Sequence, residues 1–286
     1  MANLKEIRNR ISSVTSTMKI TSAMKMVSAA KLKKAQDAIT AMRPYSEKLT
    51  DLMANFSDII SSSSISYFSE TRDVKNVLVV SICSNKGLCG AFNSNVIKQS
   101  LSLKNEEQFK GANFSYLTIG KKANDILSKT EDIISNHSNV YDNLVYDEVA
   151  NVSEKIVEEF SLGNFDKVLI VFNSFKNAAN QIVKTEQFLP IENLDKANKT
   201  GDYIFEPSME QIVAELVPKS LKIQLFKSIR DSFAGEHGAR MTAMHKATDN
   251  ATELRDELKL TYNKARQAAI TNEILEIVSG AEALNG

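Results

Sequence analysis

The stretch LKEIRNRISSVTSTM, residues 4–18, decides the fold of the chain, because its apolar residues return at alternating intervals of three and four. These residues are Leu4, Ile7, Ile11, Val14 and Met18. Such spacing places one apolar stripe along a helix and is typical of a coiled-coil seam. Continued in register, the next seam positions fall on Thr21, Lys25 and Ser28, which are poor core residues. We therefore predict that the seam is interrupted there, with Met24 one position off it.

The apolar pattern returns farther along, so the sequence predicts one long N-terminal helix over residues 1–60. The positions that restore it are Leu32, Ala35, Ile39 and Met42. Pro44 predicts a kink in this helix. A serine run, Ser61–Ser64, ends it, and residues 61–75 are predicted to be a linker.

A second long helix is predicted at the other end of the chain, over residues 207–286. Pro207 suits a first helical turn. Pro218 predicts an early kink or interruption of this helix, and the pair Gly235 and Gly238 predicts a position where the helix is weakly stabilised. Because a globular insert separates the two helices, the second must return alongside the first. The two helices are therefore expected to form an antiparallel coiled coil, and the 3.5-residue period of the seam implies a left-handed supercoil.

The insert, residues 76–206, alternates predicted strands and helices. The predicted strands are Val77–Cys83, Phe114–Ile119, a short strand Tyr141–Tyr146, Val168–Phe172 and Ile182–Leu189. The predicted helices are Ala91–Leu103, Lys121–Leu127 and Val149–Phe160. This order is typical of a Rossmann-like α/β domain, an open and mostly parallel sheet with helices on its faces.

Composition limits the function classes. The chain has 286 residues with 35 basic and 35 acidic side chains, a balance that argues against a simple nucleic-acid binder. Locally, residues 1–48 hold ten Lys or Arg against three acids, and residues 105–165 hold five against eleven. Cys83 and Cys89 fit a reduced compartment. No apolar run reaches a membrane span and the start lacks a signal-peptide core, so membrane association is expected only through partners.

The sequence offers no recognisable active site. The loop Ser84–Ala91 joins a strand to a helix, where α/β proteins often bind phosphates, but its glycines match neither nucleotide-binding pattern. A tight turn that presents a surface loop is the favoured interpretation. The three histidines are scattered, and no metal-ligand spacing, nucleophile motif or paired carboxylates stand out. We expect no catalytic residue, no metal and no cofactor.

Two polar clusters and one apolar tip lie on the predicted helices. The clusters are TSAMKMV, residues 21–27, and NKARQAAIT, residues 263–271. Arg266 is suited to a bidentate grip on a carboxylate. The tip carries Ile274, Leu275, Ile277 and Val278, which leave no polar face on that turn. A helix that is apolar all round is buried all round, so we expect something outside this chain to enclose the tip.

These features together resemble the gamma subunit family of the F-type ATP synthase. The matching stretches are KITSAMKMV (19–27), KGLCG (86–90), ARMTAMHKATDN (239–250), YNKARQAAIT (262–271) and EIVSGA (276–281). The resemblance covers the whole chain, and the C-terminal motifs are the most specific. It implies a rotating central stalk that couples proton-driven rotation of a membrane c-ring to conformational cycling of catalytic beta subunits.

The resemblance also implies partners and contact residues. The partners are the hexamer of alpha and beta subunits, the epsilon subunit and the c-ring, with one copy of this chain per complex. The implied beta-subunit contacts are Met24, Lys25, Arg240, Arg266, Gln267 and Thr271. An apical bearing is implied at Ile274, Leu275, Ile277, Val278 and Leu284. The epsilon and c-ring contacts are implied at Tyr203, Phe205 and Glu206.

The implied location is the cytoplasmic side of the bacterial plasma membrane, as a peripheral subunit. Two other classes stay open on the residues alone. A coiled-coil adaptor with an α/β head would explain the helices but not the matched motifs. A nucleotide-dependent enzyme would explain the insert, but it requires a phosphate loop that the sequence lacks.

Overall fold

The computed structural model of the chain describes residues 4–62, 68–69, 72–142, 144–191, 206 and 208–285. In chain order its main elements are α1 (Leu4–Ser62), β1 (Asn76–Ile82), α2 (Phe92–Ser102), β2 (Asn113–Ile119), α3 (Lys121–Leu127), β3 (Asp132–Asn136), α4 (Tyr146–Ser161), β4 (Lys167–Phe175), β5 (Gln181–Leu189) and α5 (Met209–Asn285).

The chain divides into two compact units. Met1–Ser28 with Met241–Gly286 forms one, which we call the coiled-coil unit, and Ala29–Arg240 forms the other, which we call the α/β unit. Helices α1 and α5 each contribute residues to both units.

One five-stranded sheet organises the α/β unit, in the order β3-β2-β1-β4-β5. The β1–β2, β1–β4 and β2–β3 pairs are parallel, and only β4–β5 is antiparallel. In the centre Val79 pairs with Tyr116 on one side and with Leu169 on the other. The predicted fold, a mostly parallel α/β sheet between two long helices, is confirmed.

Apolar side chains alternate between the two faces of the sheet, so each face buries its own core. One face packs against α4, α5 and the second half of α1, through residues such as Ile156, Leu225 and Met53. The other packs against α2 and α3, through residues such as Val96 and Leu127. The two central strands β1 and β4 are therefore covered on both sides, as expected of a parallel sheet.

The prediction of a strand at Tyr141–Tyr146 is wrong. A 3₁₀ turn, Ser138–Tyr141, occupies its start, and α4 begins at Tyr146. Val140 and Tyr141 are apolar because this turn points them into the core, where they are 2% and 4% exposed. The missing strand is β3 (Asp132–Asn136), a short edge strand whose residues are half-buried or exposed, so it lacks the apolar run of a central strand.

Neither proline interrupts its helix. Helix α1 continues through Pro44 and α5 through Pro218, contrary to the predicted interruption of the second helix. Pro218 stands between Val217 and Leu221, which are 0% and 2% exposed. Pro218 has no backbone N–H and so cannot donate the helical hydrogen bond. The burial of the neighbouring apolar side chains stabilises the helix there despite this loss. Helix α5 begins near Ser208, whose hydroxyl accepts a hydrogen bond from the Gln211 amide at 3.3 Å, and Pro207 lies outside the described residues.

The coiled-coil unit pairs α1 with α5 in antiparallel register. Arg8 Nη2 donates to the Tyr262 hydroxyl at 2.8 Å, and Arg255 Nη1 lies 3.4 Å from Met18 Sδ. Beside the first of these contacts the seam buries Ile7, which is 5% exposed.

The predicted interruption of the seam is wrong. Thr21 is 9% exposed and Ser28 3% exposed, and the Thr21 hydroxyl lies 2.8 Å from the Thr248 hydroxyl across the pair of helices. Small hydroxyl side chains therefore continue the seam, because each can bond to a facing hydroxyl or to its own helix. Met24 and Lys25 beside them are half-buried.

The Gly235 and Gly238 pair is a place of close packing within an unbroken helix. A Cβ on Gly238 would lie 3.1 Å from both the Cα and the carbonyl oxygen of Ala178. The glycines therefore let α5 approach the β4–β5 loop, which offsets their poor helix propensity.

A buried histidine, His237, lies between these two glycines on α5. The ring of His237 is 5% exposed and meets the Phe233 ring edge-on at 4.6 Å. Its Nδ1 lies 3.4 Å from Arg240 Nη1. Burial, with the nearby charges of Arg240 and Lys31, lowers the pKa of His237 to about 4.

We predict that replacing Gly120 destabilises the α/β unit strongly. Gly120 has φ of 105°, and a Cβ there would lie 1.9 Å from the Cys83 carbonyl oxygen. Gly120→Ala should lower the free energy of unfolding by about 3 kcal/mol or more. Gly111→Ala is the matched control, because Gly111 has φ of 90° and nothing within 4 Å. Its cost should stay near about 1–2 kcal/mol of backbone strain. Equal losses in urea unfolding would contradict this account.

We also predict that acid weakens the fold through His237. Between pH 6.5 and about 4 the unfolded histidine binds a proton that the folded one does not, so stability falls as the pH falls through this window. The loss is at most about 3 kcal/mol. His237→Gln should flatten the dependence of unfolding free energy on pH, whereas His245→Gln, at an exposed site, should not. The raised pKa of Glu236 acts in the opposite direction, so only the comparison of variants isolates His237. Parallel pH profiles for wild type and His237→Gln would refute the prediction.

Candidate interaction surfaces

The C-terminal part of α5 has no partner helix among the described residues. The coiled-coil contacts end at Tyr262 and Ala265, and every side chain from Arg266 to Ala283 is exposed. This stretch, which we call the free end, includes Ile274, Leu275, Ile277 and Val278 at 54%, 60%, 66% and 50% exposed. At about 100° per residue these four side chains span roughly 160° of the helix circumference, and Glu276 lies on the opposite side, so the prediction of a turn with no polar face is wrong. A concave partner surface would cover such an arc better than a flat one. The side chain of Leu284 lies outside the described residues.

The polar residues predicted to bind a partner lie at the start of the free end. Arg266 and Gln267 are exposed, and α5 positions them on adjacent sides of its axis. The Thr271 hydroxyl donates to the Gln267 carbonyl at 2.9 Å, so its proton is already used within the helix. Among Arg266, Gln267 and Thr271, the first two are therefore the ones with side-chain hydrogen-bond donors left for a partner.

The outward face of α1 differs from the prediction. Met24 and Lys25 are half-buried, whereas Ile20, Met26 and Val27 are 60%, 68% and 57% exposed. Ile20 and Val27 stand seven residues apart and so share one side of the helix. The seven-residue spacing of Ile20 and Val27 is present in the sequence. It marks an outward face only if Thr21 and Ser28 stay in the seam, which was not predicted from the sequence.

Arg240 does not lie on the surface. The residue is 7% exposed, and Nη1 forms an ion pair with Glu236 Oε1 at 2.6 Å. Its Nη2 donates to the carbonyl oxygens of Lys86 and Gly87 at 3.0 and 3.2 Å, and Nε donates to Gly87 at 3.3 Å. We therefore assign Arg240 to an internal network and correct its implied role as a beta-subunit contact.

The strand-to-helix loop Ser84–Ala91 is closed on itself. The Ser84 amide donates to Asn93 Oδ1 at 2.9 Å, and the Ser84 hydroxyl donates to the Lys86 carbonyl at 2.6 Å. Leu88 at its tip has φ of 63° and is 64% exposed. Burial raises the pKa of the Cys89 thiol, which disfavours its reactive thiolate.

The crevice at the carboxyl ends of β1 and β4 is filled by the chain itself. In open α/β sheets this switch point is where ligands usually bind. Here Asn173 Nδ2 donates to the Phe92 carbonyl at 3.1 Å, and a Cβ on Gly235 would lie 3.3 Å from the Phe92 ring. Helices α2 and α5 thus occupy the position of a nucleotide, which agrees with the absence of a phosphate-binding pattern in the loop.

The other candidate groups do not assemble into a site. Within the described ranges no cluster of His, Cys, Asp and Glu could hold a metal ion. His245 pairs with Asp249 at 3.1 Å on the surface, and burial lowers the pKa of His137. Glu206 is exposed, while Tyr203 and Phe205 lie outside the described residues. Among the helices that the structure describes, none is long and apolar enough to cross a membrane.

Two solved structures share the fold. A central-stalk and c-ring structure of the Tetrahymena thermophila mitochondrial ATP synthase contains a chain with TM-score 0.57 and 26% identity, over 80% of this chain and 99% of that one. A Euglena gracilis mitochondrial ATP synthase structure contains one with TM-score 0.70 and 20% identity, over 98% and 94%. At 20% identity the second likeness concerns the fold alone.

The sequence comparisons are more specific. A family model described as ATP synthase matches residues 3–284. The ATP synthase gamma chain of Flavobacterium psychrophilum is 65% identical over 289 aligned residues, and that of Cytophaga hutchinsonii is 47% identical over 294. Both alignments cover all of both chains. The chain therefore belongs to the ATP synthase gamma chain family.

Proposed function

We propose that the chain is the central-stalk rotor subunit of an F-type ATP synthase. It couples proton-driven rotation of the c-ring to the conformational cycle of the beta subunits, and in reverse it couples ATP hydrolysis to proton pumping. The free end of α5 carries this proposal, because four large apolar side chains, Ile274, Leu275, Ile277 and Val278, are each at least half exposed over roughly 160° of the helix circumference. A surrounding collar of subunits would bury all of them at once.

The free end suits a contact that must slide. Hydrophobic contact is non-directional, so an apolar tip can turn in an apolar collar without breaking specific bonds. The outward apolar residues of α1, Ile20, Met26 and Val27, would meet the hexamer in the same way. We keep the half-buried Met24 and Lys25 as contacts of smaller area.

The polar contacts of Arg266 and Gln267 with the beta subunits would set the successive steps of rotation. A rod without three-fold symmetry touches three equivalent beta subunits differently, so each is held in a different state. Shifting one site from 1:99 to 99:1 requires about 5.5 kcal/mol of differential contact. Charge-assisted hydrogen bonds from Arg266, at about 1.5–3 kcal/mol each, supply a large part of that energy. Gln267 adds neutral hydrogen bonds beside it.

Membership of the gamma chain family supports two further partners, the epsilon subunit and the c-ring. We propose that the α/β unit meets the epsilon subunit and the c-ring, and that one copy of the chain serves each complex. We also propose that the chain is a non-catalytic subunit, which the filled crevice between β1 and β4 supports. It is held at the cytoplasmic side of the bacterial plasma membrane through its partners.

We predict that Arg266→Ala with Gln267→Ala slows ATP hydrolysis by the assembled complex about tenfold or more, since about 1.5–3 kcal/mol of contact is lost. Assembly should be unchanged, because the apolar tip remains. The control is Lys264→Ala with Asn272→Ala, which removes one positive charge and one amide from other sides of the same helix. Steady-state hydrolysis by purified complexes measures the effect. Normal turnover in the first variant, with full assembly, would sink the assignment.

We predict that Leu275→Gln with Val278→Gln makes the isolated chain less prone to associate and weakens its assembly with the hexamer. Gln has good helix propensity, so α5 should stay helical. The lost burial is worth about 3 kcal/mol or more. Sedimentation of the free chain and pull-down of alpha and beta subunits measure both effects. Glu276→Gln is the control within the same turn, and the idea fails if all three proteins assemble equally well.

A further inference from the structure

The guanidinium of Arg240 joins a long helix to a distant loop. Arg240 is the last residue of α5 that belongs to the α/β unit. The carbonyls that it binds, those of Lys86 and Gly87, lie in the loop four and five residues after the end of strand β1 at Ile82. This side chain therefore ties α5 to the loop that follows the central strand of the sheet.

Several buried contacts support this link between Arg240 and the loop. Glu236 lies one turn before Arg240 and holds Nη1 at 2.6 Å, and the His237 ring lies 3.4 Å from the same nitrogen. All three residues are buried, at most 7% exposed. Arginine suits this place because its planar fork can bind two carbonyls and a carboxylate together, which a lysine ammonium cannot match.

The backbone of the loop is strained where it meets Arg240. Leu88 adopts φ of 63°, a left-handed conformation that leucine rarely takes. The φ angle of Leu88 and the direction of the Gly87 carbonyl are coupled, because both depend on the orientation of the peptide between the two residues. The strained turn therefore accompanies the inward carbonyl that Arg240 binds, and such strain persists only where the surroundings enforce it.

We propose that Arg240 is a positioning residue that makes the Ser84–Ala91 loop, and with it β1, turn together with α5. In a rotor, torque enters one part of the chain and leaves through another, so each attachment of the long helix to the sheet must resist shear. The apolar contacts of α5 with the sheet are non-directional and resist sliding poorly. Directional bonds resist sliding better: Gln224 donates to the Gln187 carbonyl at 3.1 Å and Asp231 accepts from the Ser174 hydroxyl at 3.4 Å along the helix. Arg240 adds its bonds at the end of the contact. This inference rests on the proposed rotor function.

The test compares Arg240→Gln, Arg240→Lys and the control Arg230→Gln in the reconstituted complex. Arg230 lies on the same helix, 4.9 Å over the Phe226 ring, and so serves as a cation outside the loop network. The measured quantity is the number of protons pumped per ATP hydrolysed, at a temperature well below melting. We expect a lower ratio for Arg240→Gln, partial rescue by Arg240→Lys and a normal ratio for Arg230→Gln.

Hydrogen exchange in the same complexes tests the tie independently of rotation. The amides of Ser84 and Phe92 are hydrogen-bonded within the loop, to Asn93 Oδ1 and the Cys89 carbonyl. Their exchange should become about tenfold faster or more in Arg240→Gln, while exchange in β4 stays unchanged. If Arg240→Gln also speeds exchange in β4, the residue is merely structural and the inference is overturned. Unchanged exchange, or an unchanged pumping ratio, overturns it as well.

Failure of the rotor proposal itself would look different. In that case the wild-type chain would not restore coupled proton pumping to a complex that lacks its gamma chain. The variants therefore test the role of Arg240 only against a wild type that does restore it.

Discussion

The structure depends on the burial of one helix, α5, which changes its surroundings along its length. From Val213 to Ile229 its apolar stripe lies against the sheet, almost free of solvent. In the coiled-coil unit it shares a narrower seam with α1, and from Arg266 onward no described residue covers it. A single continuous helix therefore passes from a packed core to full exposure, and that gradient is what a stalk requires.

The two ends of α5 meet opposite physical demands. In the α/β unit the helix has to be fixed, and directional bonds from Arg240 and close packing at Gly238 fix it. At the free end the helix has to bind a partner and release it, and non-directional apolar contact suits that. The hydrogen-bond donors of Arg266 and Gln267 are intermediate between fixed and sliding contacts. Their bonds are strong enough to favour one state of a beta subunit over another, and exposed enough to break at each step.

The sequence predicted the elements whose signals are local. Strand β1 and the seam of α1 follow from periodicity, which one segment carries by itself. The sequence could not predict that Thr21 stays in the seam, because its partner, Thr248, is 227 residues away. The resemblance implied Arg240 as a subunit contact, and its burial could not be predicted because its acceptors at Lys86 and Gly87 are distant in sequence. Edge strand β3 escaped prediction because an edge strand needs no apolar run.

The central claim is that this chain turns inside its partners, and observation of single complexes tests it most directly. Thr130 is exposed on the α/β unit, whereas Cys83 and Cys89 are buried, so Thr130→Cys offers one site for attaching a probe. With the alpha and beta subunits fixed to a surface, ATP should drive the probe in steps in one direction. A probe that stays still while the same complexes hydrolyse ATP would contradict the account.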